Sequence, residues 1–351
     1  MTLGILSKRK PRVSPSEVAA QVAPPQVSAT PRSPLKIAVR IVLTAGLLAL
    51  LFWQVRWRDV WTVVMSLNGG VVFWAFLLWI PTQCFQFAKW NLLAREAGDG
   101  VSRADIHRGY WVGFTLGLIT PGRIGQFGRA LALHNCSLSR AVGLTVIERG
   151  YAALTINSFG LLALVILPFL GWLPPFALPG PLVQGICIAG GMLLLTLGVF
   201  PRTMYAPLSR IARILPLREK VEKALAVLKA TTPGRGITLM VLSTVALASS
   251  LLQFVFLIRA SGTEIPLWGG MLAGVLTFFI KGALPISLGS LGVGEWTAVY
   301  CFQGLGAEPS VAVAASLLLF TINVFIPSLI GLPFIHSLRV PEWPKAGVAA
   351  T

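Results

Sequence analysis

Apolar residues run through this chain in long blocks, without the two-residue alternation of half-buried strands. A helix needs about 20 apolar residues to cross a bilayer. Six windows reach that length, at 37–55, 69–87, 142–170, 182–200, 237–257 and 311–335. Two further apolar regions do not fit the same description. Residues 110–133 are interrupted by Pro121-Gly122-Arg123-Ile124-Gly125, and residues 266–306 by Pro285-Ile286-Ser287-Leu288-Gly289. Each reads as a re-entrant hairpin or as a span broken in its middle. The expected fold is therefore an all-α polytopic membrane protein, with six transmembrane helices and two re-entrant or broken helices.

The polar blocks complete the organisation. Residues 1–35 are rich in Pro, Ala and Ser, carry Lys8-Arg9-Lys10-Pro11-Arg12, and are expected to be a disordered basic tail. A membrane domain follows over 36–338, in halves of about 36–171 and 181–338, and residues 339–351 form a short tail. Within 201–235, Leu217, Val221, Ala224, Leu225 and Leu228 fall on one helical face among basic residues. That pattern predicts an amphipathic helix lying on the membrane surface.

Composition agrees. Charged residues make up 12% of the 351, hydrophobic residues 55%, and the mean hydropathy is +0.77. Soluble domains carry about 25% charged residues, so a water-facing surface is excluded. Lys and Arg number 29 against 12 Asp and Glu, a net charge of +17. In a soluble chain such an excess would point to nucleic acid. Here cytoplasmic loops account for it, because they collect cations. With the N-terminus inside and both broken regions returning to the side they left, 24 cations lie inside. Arg56, Arg58 and Arg259 lie outside, and Arg40 and Lys281 lie within apolar segments. Both termini are then cytoplasmic, and the expected location is a plasma membrane of bacterial inner-membrane type.

This topology makes the second half the first half upside down, as in an inverted repeat. Pro121-x-x-Ile124-Gly125-x-Phe127-Gly128 aligns with Pro285-x-x-Leu288-Gly289-x-Leu291-Gly292. Irregular backbone at membrane depth must line a cavity or be covered by protein. Pro121, Gly125, Pro285 and Gly289 are thus expected to shape a shared cavity. Pro121 and Pro285 would start half-helices whose N-terminal N–H groups favour an anion. Charges inside a membrane are costly and mark candidate sites. Arg123 and Arg129 flank the first break, and Arg suits phosphate through its planar fork; snorkelling to headgroups is the plain alternative for Arg129. Glu148 and Arg149 begin the third span, where a local ion pair is the alternative. Lys281 and Glu295 flank the second break and could pair with each other. These six residues are the expected substrate-binding set. No catalytic set, metal site or cofactor is indicated. Cys84, Cys136, Cys187 and Cys301 are scattered, and no phosphate-binding Gly-rich loop occurs.

Taken together, Lys89-Trp90-x-Leu92-Leu93, Thr120-Pro121-Gly122-Arg123-Ile124-Gly125-Gln126-Phe127-Gly128-Arg129-Ala130, Val146-Ile147-Glu148-Arg149 and Leu284-Pro285-Ile286-Ser287-x-Gly289-x-Leu291-Gly292-Val293-x-Glu295 carry a resemblance. The chain resembles, over about 36–338, the membrane domain of lysylphosphatidylglycerol synthases and the flippase-like proteins related to it. The resemblance implies a lipid-handling protein that moves an anionic or lipid-linked substrate between leaflets. It points to Arg123, Arg129, Glu148, Arg149 and Glu295 as functional residues. The partners implied are membrane lipids, above all anionic phospholipid, with a separate transferase as a candidate partner and no nucleic acid. Two positions depart from the family pattern. Gln126 stands where a Glu is usual, and Ser290 follows Gly289 where a Gly pair is usual. No soluble aminoacyltransferase domain follows residue 338, so lysyl transfer by this chain alone is not expected. The alternative reading is a membrane subunit of a lipid-modifying enzyme, of lysyltransferase or glycosyltransferase type. A non-transporting scaffold is a third.

Overall fold

A computed structural model describes residues 57–98, 100–120, 123–170, 180–212, 232–284 and 292–338. Outside them lie the basic tail, the 37–55 window, Pro121, the second break with Pro285 and Gly289, the 217–228 face and the C-terminal tail.

The described residues are helical throughout, without a strand. Helices α1 (Trp57–Ser66), α2 (Gly69–Leu77) and α3 (Trp79–Ala94) are followed by a short 3-10 turn, Arg95–Ala97. Helix α4 (Arg103–Leu118) leads to a 3-10 segment, Ile124–Ala132. Then come α5 (Leu138–Phe169), α6 (Gly180–Val199), α7 (Pro201–Ala212), α8 (Pro233–Arg259), α9 (Leu267–Ala283) and α10 (Val293–Gln303). The last stretch comprises α11 (Pro309–Phe320), a π segment (Thr321–Phe325), α12 (Ile326–Gly331) and a final 3-10 turn, Leu332–Ser337.

Five stretches are long and apolar enough to cross a membrane: Gly69–Ala97, Leu138–Leu167, Gly180–Val199, Pro233–Arg259 and Pro309–Ser337. They coincide with the last five windows read from the sequence, and the chain is a multi-pass membrane protein. The starts of these helices follow local rules. Asn68 accepts from the N–H of Gly70 and Val71, and Thr232 caps the N–H of Arg235. Pro233 and Pro309 occupy first-turn positions, where a missing N–H costs nothing.

The first stretch runs ten residues past the 69–87 window. Lys89, which lies beyond that window and is one of the 24 cations assigned to the inside, therefore belongs to a helix and is buried. Apolar neighbours on both sides explain the longer helix.

Both interrupted regions turn back on themselves. In the first, Asn135 Nδ2 donates to the Gly100 carbonyl at 3.1 Å, so the outer ends of the two limbs meet. Further in, Gly109 lies against the Arg129 carbonyl and Gly117 against Gln126, as an antiparallel hairpin requires. Helix α4 has 16 residues and reaches roughly 24 Å at 1.5 Å per residue, short of a full crossing. In the second, Gly269 meets Leu305, Gly274 faces Phe302 and Gly294 lies under Lys281. Of the two alternatives the sequence left open, the structure shows hairpins.

The two halves repeat. Gly69 and Pro233 start equivalent stretches 164 positions apart, and so do Arg103 and Leu267; Leu138 and Pro309 stand 171 apart. Gly69–Ala97 and Pro233–Arg259 pack antiparallel along their length. The Asn68 N–H donates to Ala260 O at 2.8 Å at one end, and Arg235 Nη2 meets Glu96 Oε1 at 2.5 Å at the other. Each hairpin also leans on the final span of the other half, at matching positions. Gly160 of α5 receives the Phe279 ring of α9, and Gly331 of α12 receives Trp111 and Thr115 of α4. Gly160 and Gly331 are 171 apart, and Thr115 and Phe279 are 164 apart. Small residues at such crossings let backbones approach without a lipid-filled gap.

Candidate functional site

The first hairpin puts Arg123 at its tip and Arg129 on its returning limb. Arg123 adopts the left-handed conformation, φ 58°, directly before the 3-10 segment. The sequence reading expected a half-helix with N–H groups free for an anion. Instead the Gly125 N–H is taken by Thr120 Oγ1 at 2.6 Å, and the segment has the tighter 3-10 hydrogen bonding. Gly125 is needed for close approach, because a Cβ there would overlap the Leu116 carbonyl. At the tip, then, the Arg123 side chain is better placed to meet a ligand than the backbone. It passes 5.8 Å from the Phe114 ring, and its Nε is buried without a hydrogen-bond partner.

Arg129 does not snorkel. It is 2% exposed, and its Nη1 lies 3.0 Å from Glu148 Oε2. The other oxygen of the same carboxylate, Oε1, holds Lys89 Nζ at 3.2 Å. Lys89 Nζ also reaches Ser243 Oγ at 3.2 Å. Glu148 thus bridges α3, the 3-10 limb and α5, instead of pairing locally with Arg149. Aromatic rings close the guanidinium in, with Arg129 Cζ 5.2 Å from Trp90 and 5.8 Å from Tyr110. Both rings are themselves fixed: Trp90 Nε1 donates to Ile106 O at 2.9 Å, and the Tyr110 hydroxyl contacts Gln83 Oε1 at 2.7 Å. The absence of a side chain at Gly113 makes room for Arg129, since a Cβ there would stand 2.8 Å from Nε.

Arg149 is half-buried and joins no ion pair among the described residues. Arg123, Arg129 and Arg149 are close enough to repel one another, and Arg123 also repels Lys281 of the second hairpin. No ion pair joins Lys281 to Glu295. Glu295 is fully buried and holds its own helix start: it accepts from the Gly292 N–H at 2.6 Å and from Ser316 Oγ at 3.3 Å. That is a capping and interhelical role.

Five cations, Lys89 and Arg129 buried and Arg123, Arg149 and Lys281 half-buried, therefore lie near two carboxylates, Glu148 and Glu295, of which only Glu148 forms ion pairs among the described residues. Leaving cations without counter-charge in a low-dielectric interior is expensive. An anion would supply the missing charge, and the planar fork of a guanidinium suits phosphate. Gln126, at the position that departs from the family pattern, is 1% exposed with an unpartnered Oε1 beside this cluster.

Lys89 is the member that charge counting missed. Its signal was present as a cation inside an apolar run. Trp90 stood in the Lys89-Trp90 motif, but that it and Tyr110 enclose Arg129 had no signal, because they lie 39 and 19 positions away and only packing unites them.

The family model described as lysylphosphatidylglycerol synthase TM region matches residues 37–331. A search of curated proteins finds no match to the chain.

Proposed function

The chain belongs to the lysylphosphatidylglycerol synthase TM-region family, and from that premise we propose that it moves an anionic lipid headgroup between bilayer leaflets. One observation supports this reading above the others: a cluster with more cations than carboxylates, buried at Lys89, Arg129 and Glu148 and half-buried at Arg123 and Arg149, around a re-entrant hairpin. A phosphate would supply the missing negative charge, with Arg123 and Arg149 as its first contacts. Lys89, Glu148 and Arg129 form the fixed floor of the site. Acyl chains would stay in the hydrocarbon while the headgroup passes between the hairpins.

The inverted repeat supports the second step. Two antiparallel halves joined by interlocking hairpins allow one half to rock against the other around a fixed site. In this reading the cluster faces the cytoplasmic leaflet of a bacterial inner membrane, where the basic loops lie, and both termini are cytoplasmic. Anionic phospholipid is the partner. No observation in the structure favours the enzyme-subunit reading over this one.

The test is transbilayer movement of fluorescent anionic phospholipid in proteoliposomes containing the full chain. Wild type is expected to equilibrate the leaflets. Arg123→Ala, with its melting temperature held, is expected to slow this at least tenfold. Equal rates for wild type, Arg123→Ala and empty vesicles would overturn the proposal.

A further inference from the structure

The repeat carries the geometry of the cationic cluster into the second half, but not its charges. Position 253 stands 164 after Lys89, and Ser243 stands 164 after Trp79. The Lys89–Ser243 contact across α3 and α8 therefore has its counterpart in Gln253 and Trp79. Gln253 is fully buried. Its Oε1 accepts from Asn323 Nδ2 at 2.6 Å, and Asn323 Nδ2 also donates to Leu319 O at 3.2 Å. Asn323 lies in the π segment Thr321–Phe325, an irregularity that often marks function within an otherwise regular span.

Three polar atoms at this place are buried without a hydrogen-bond partner: Trp79 Nε1, Gln253 Nε2 and Asn323 Oδ1. Such atoms are costly inside hydrocarbon. The repeat sets Trp79 of α3 opposite Gln253 of α8, and Asn323 reaches Gln253 from the final span, so two donors and one acceptor make an uncharged hydrogen-bonding site. We propose that Trp79, Gln253 and Asn323 form a second headgroup site that takes hydroxyl groups, such as those of a glycerol or other polyol headgroup. A hydroxyl both donates and accepts, which matches this mixed set, whereas a phosphate would find no cation. The site lies ten helical positions from Lys89 along α3, roughly 15 Å at 1.5 Å per residue, toward the opposite end of the spans. It is the neutral mirror of the cationic cluster and would hold a headgroup by its hydroxyls after the phosphate leaves the arginines.

The site rests on the lipid-handling reading, so binding and movement are measured separately. The probes are short-chain phosphatidylglycerol and phosphatidylpropanol, phosphodiesters of equal charge that differ only in the hydroxyl groups of the headgroup. Purified full-length protein is expected to bind the glycerol lipid more tightly, by about fivefold per hydrogen bond gained. Trp79→Phe removes only the N–H, and Gln253→Met is close in shape. Each is expected to reduce the preference toward unity while affinity for phosphatidylpropanol stays the same. Equal binding of the two probes by wild type would overturn the site. So would a preference that survives both substitutions, or an equal loss of both probes in a folded variant. If the preference behaves as expected but wild type moves neither lipid across vesicles, the transport reading fails and the site stands. If wild type moves both lipids and the preference is absent, the site fails and the transport reading stands.

Discussion

The two halves share a backbone plan and differ in chemistry. Lys89, Arg129, Glu148 and Arg149 of the first half map by the repeat onto Gln253, Val293, Leu319 and Phe320 of the second. One side of the pseudo-symmetry holds a buried network of ions; the other holds an amide pair and hydrocarbon. The crossings that support them are alike, with Gly160 and Gly331 at matching contacts. The repeat thus accounts for the shared architecture, while the chemistry of the two halves diverges at the cluster. A symmetric pair of charge clusters would favour both sides equally, whereas one cluster gives the molecule a distinct cationic end.

This contrast can be broken most sharply at Glu148. Replacing it with Gln leaves Lys89 and Arg129 buried without a counter-charge, which is expected to cost about 3–5 kcal/mol. Thermal unfolding in detergent would show it, and adding Lys89→Met is expected to recover part of the loss. Gln253→Met at the equivalent neutral position is expected to cost only about 1 kcal/mol in the same assay. If the two single substitutions proved equal in cost, the cluster would not be a bound network of ions.

The paired crossings come next in size. A Cβ at Gly331 meets the Trp111 backbone carbonyl, whereas one at Gly160 meets the Phe279 side chain. Gly331→Ala and Gly160→Ala are both expected to destabilise by about 1–3 kcal/mol, because neither a backbone carbonyl nor the Cβ and Cγ at the root of Phe279 can turn aside. The two melting temperatures, each compared with wild type, check this. Arg149→Ala should leave stability nearly unchanged, since that residue joins no ion pair among those described, yet slow lipid movement several-fold. The smallest effect is expected at Arg235→Ala. It removes a partly exposed pair with Glu96 at the end of the spans, worth under about 1 kcal/mol; chemical unfolding would measure it.

Much of the fold was legible along the chain. The windows from 69 onward became spans because hydrocarbon demands long apolar helices with internally satisfied backbones, a requirement each segment meets alone. The Pro-Gly-rich breaks marked the hairpin regions, because each interrupted an apolar run that would otherwise read as a span. The candidate site was legible only in part. Arg123, Arg129 and Glu148 stood out as charges in apolar surroundings, but their partners did not. The expectation of a Lys281–Glu295 pair failed because Glu295 was close enough to cap its own helix through Gly292.

By itself, then, the sequence determined a multi-pass helical protein with two interrupted regions and an excess of positive charge. These follow from length, hydropathy and composition, which are local quantities. Tertiary structure alone decided that Lys89 joins the ion cluster, that Glu148 bridges Lys89 and Arg129, and that Trp90 and Tyr110 enclose a guanidinium. It also decided that the equivalent place in the second half is neutral and under-bonded. The reason is physical: a charge buried in a membrane must find its partner across helices, and that choice depends on which helices pack together.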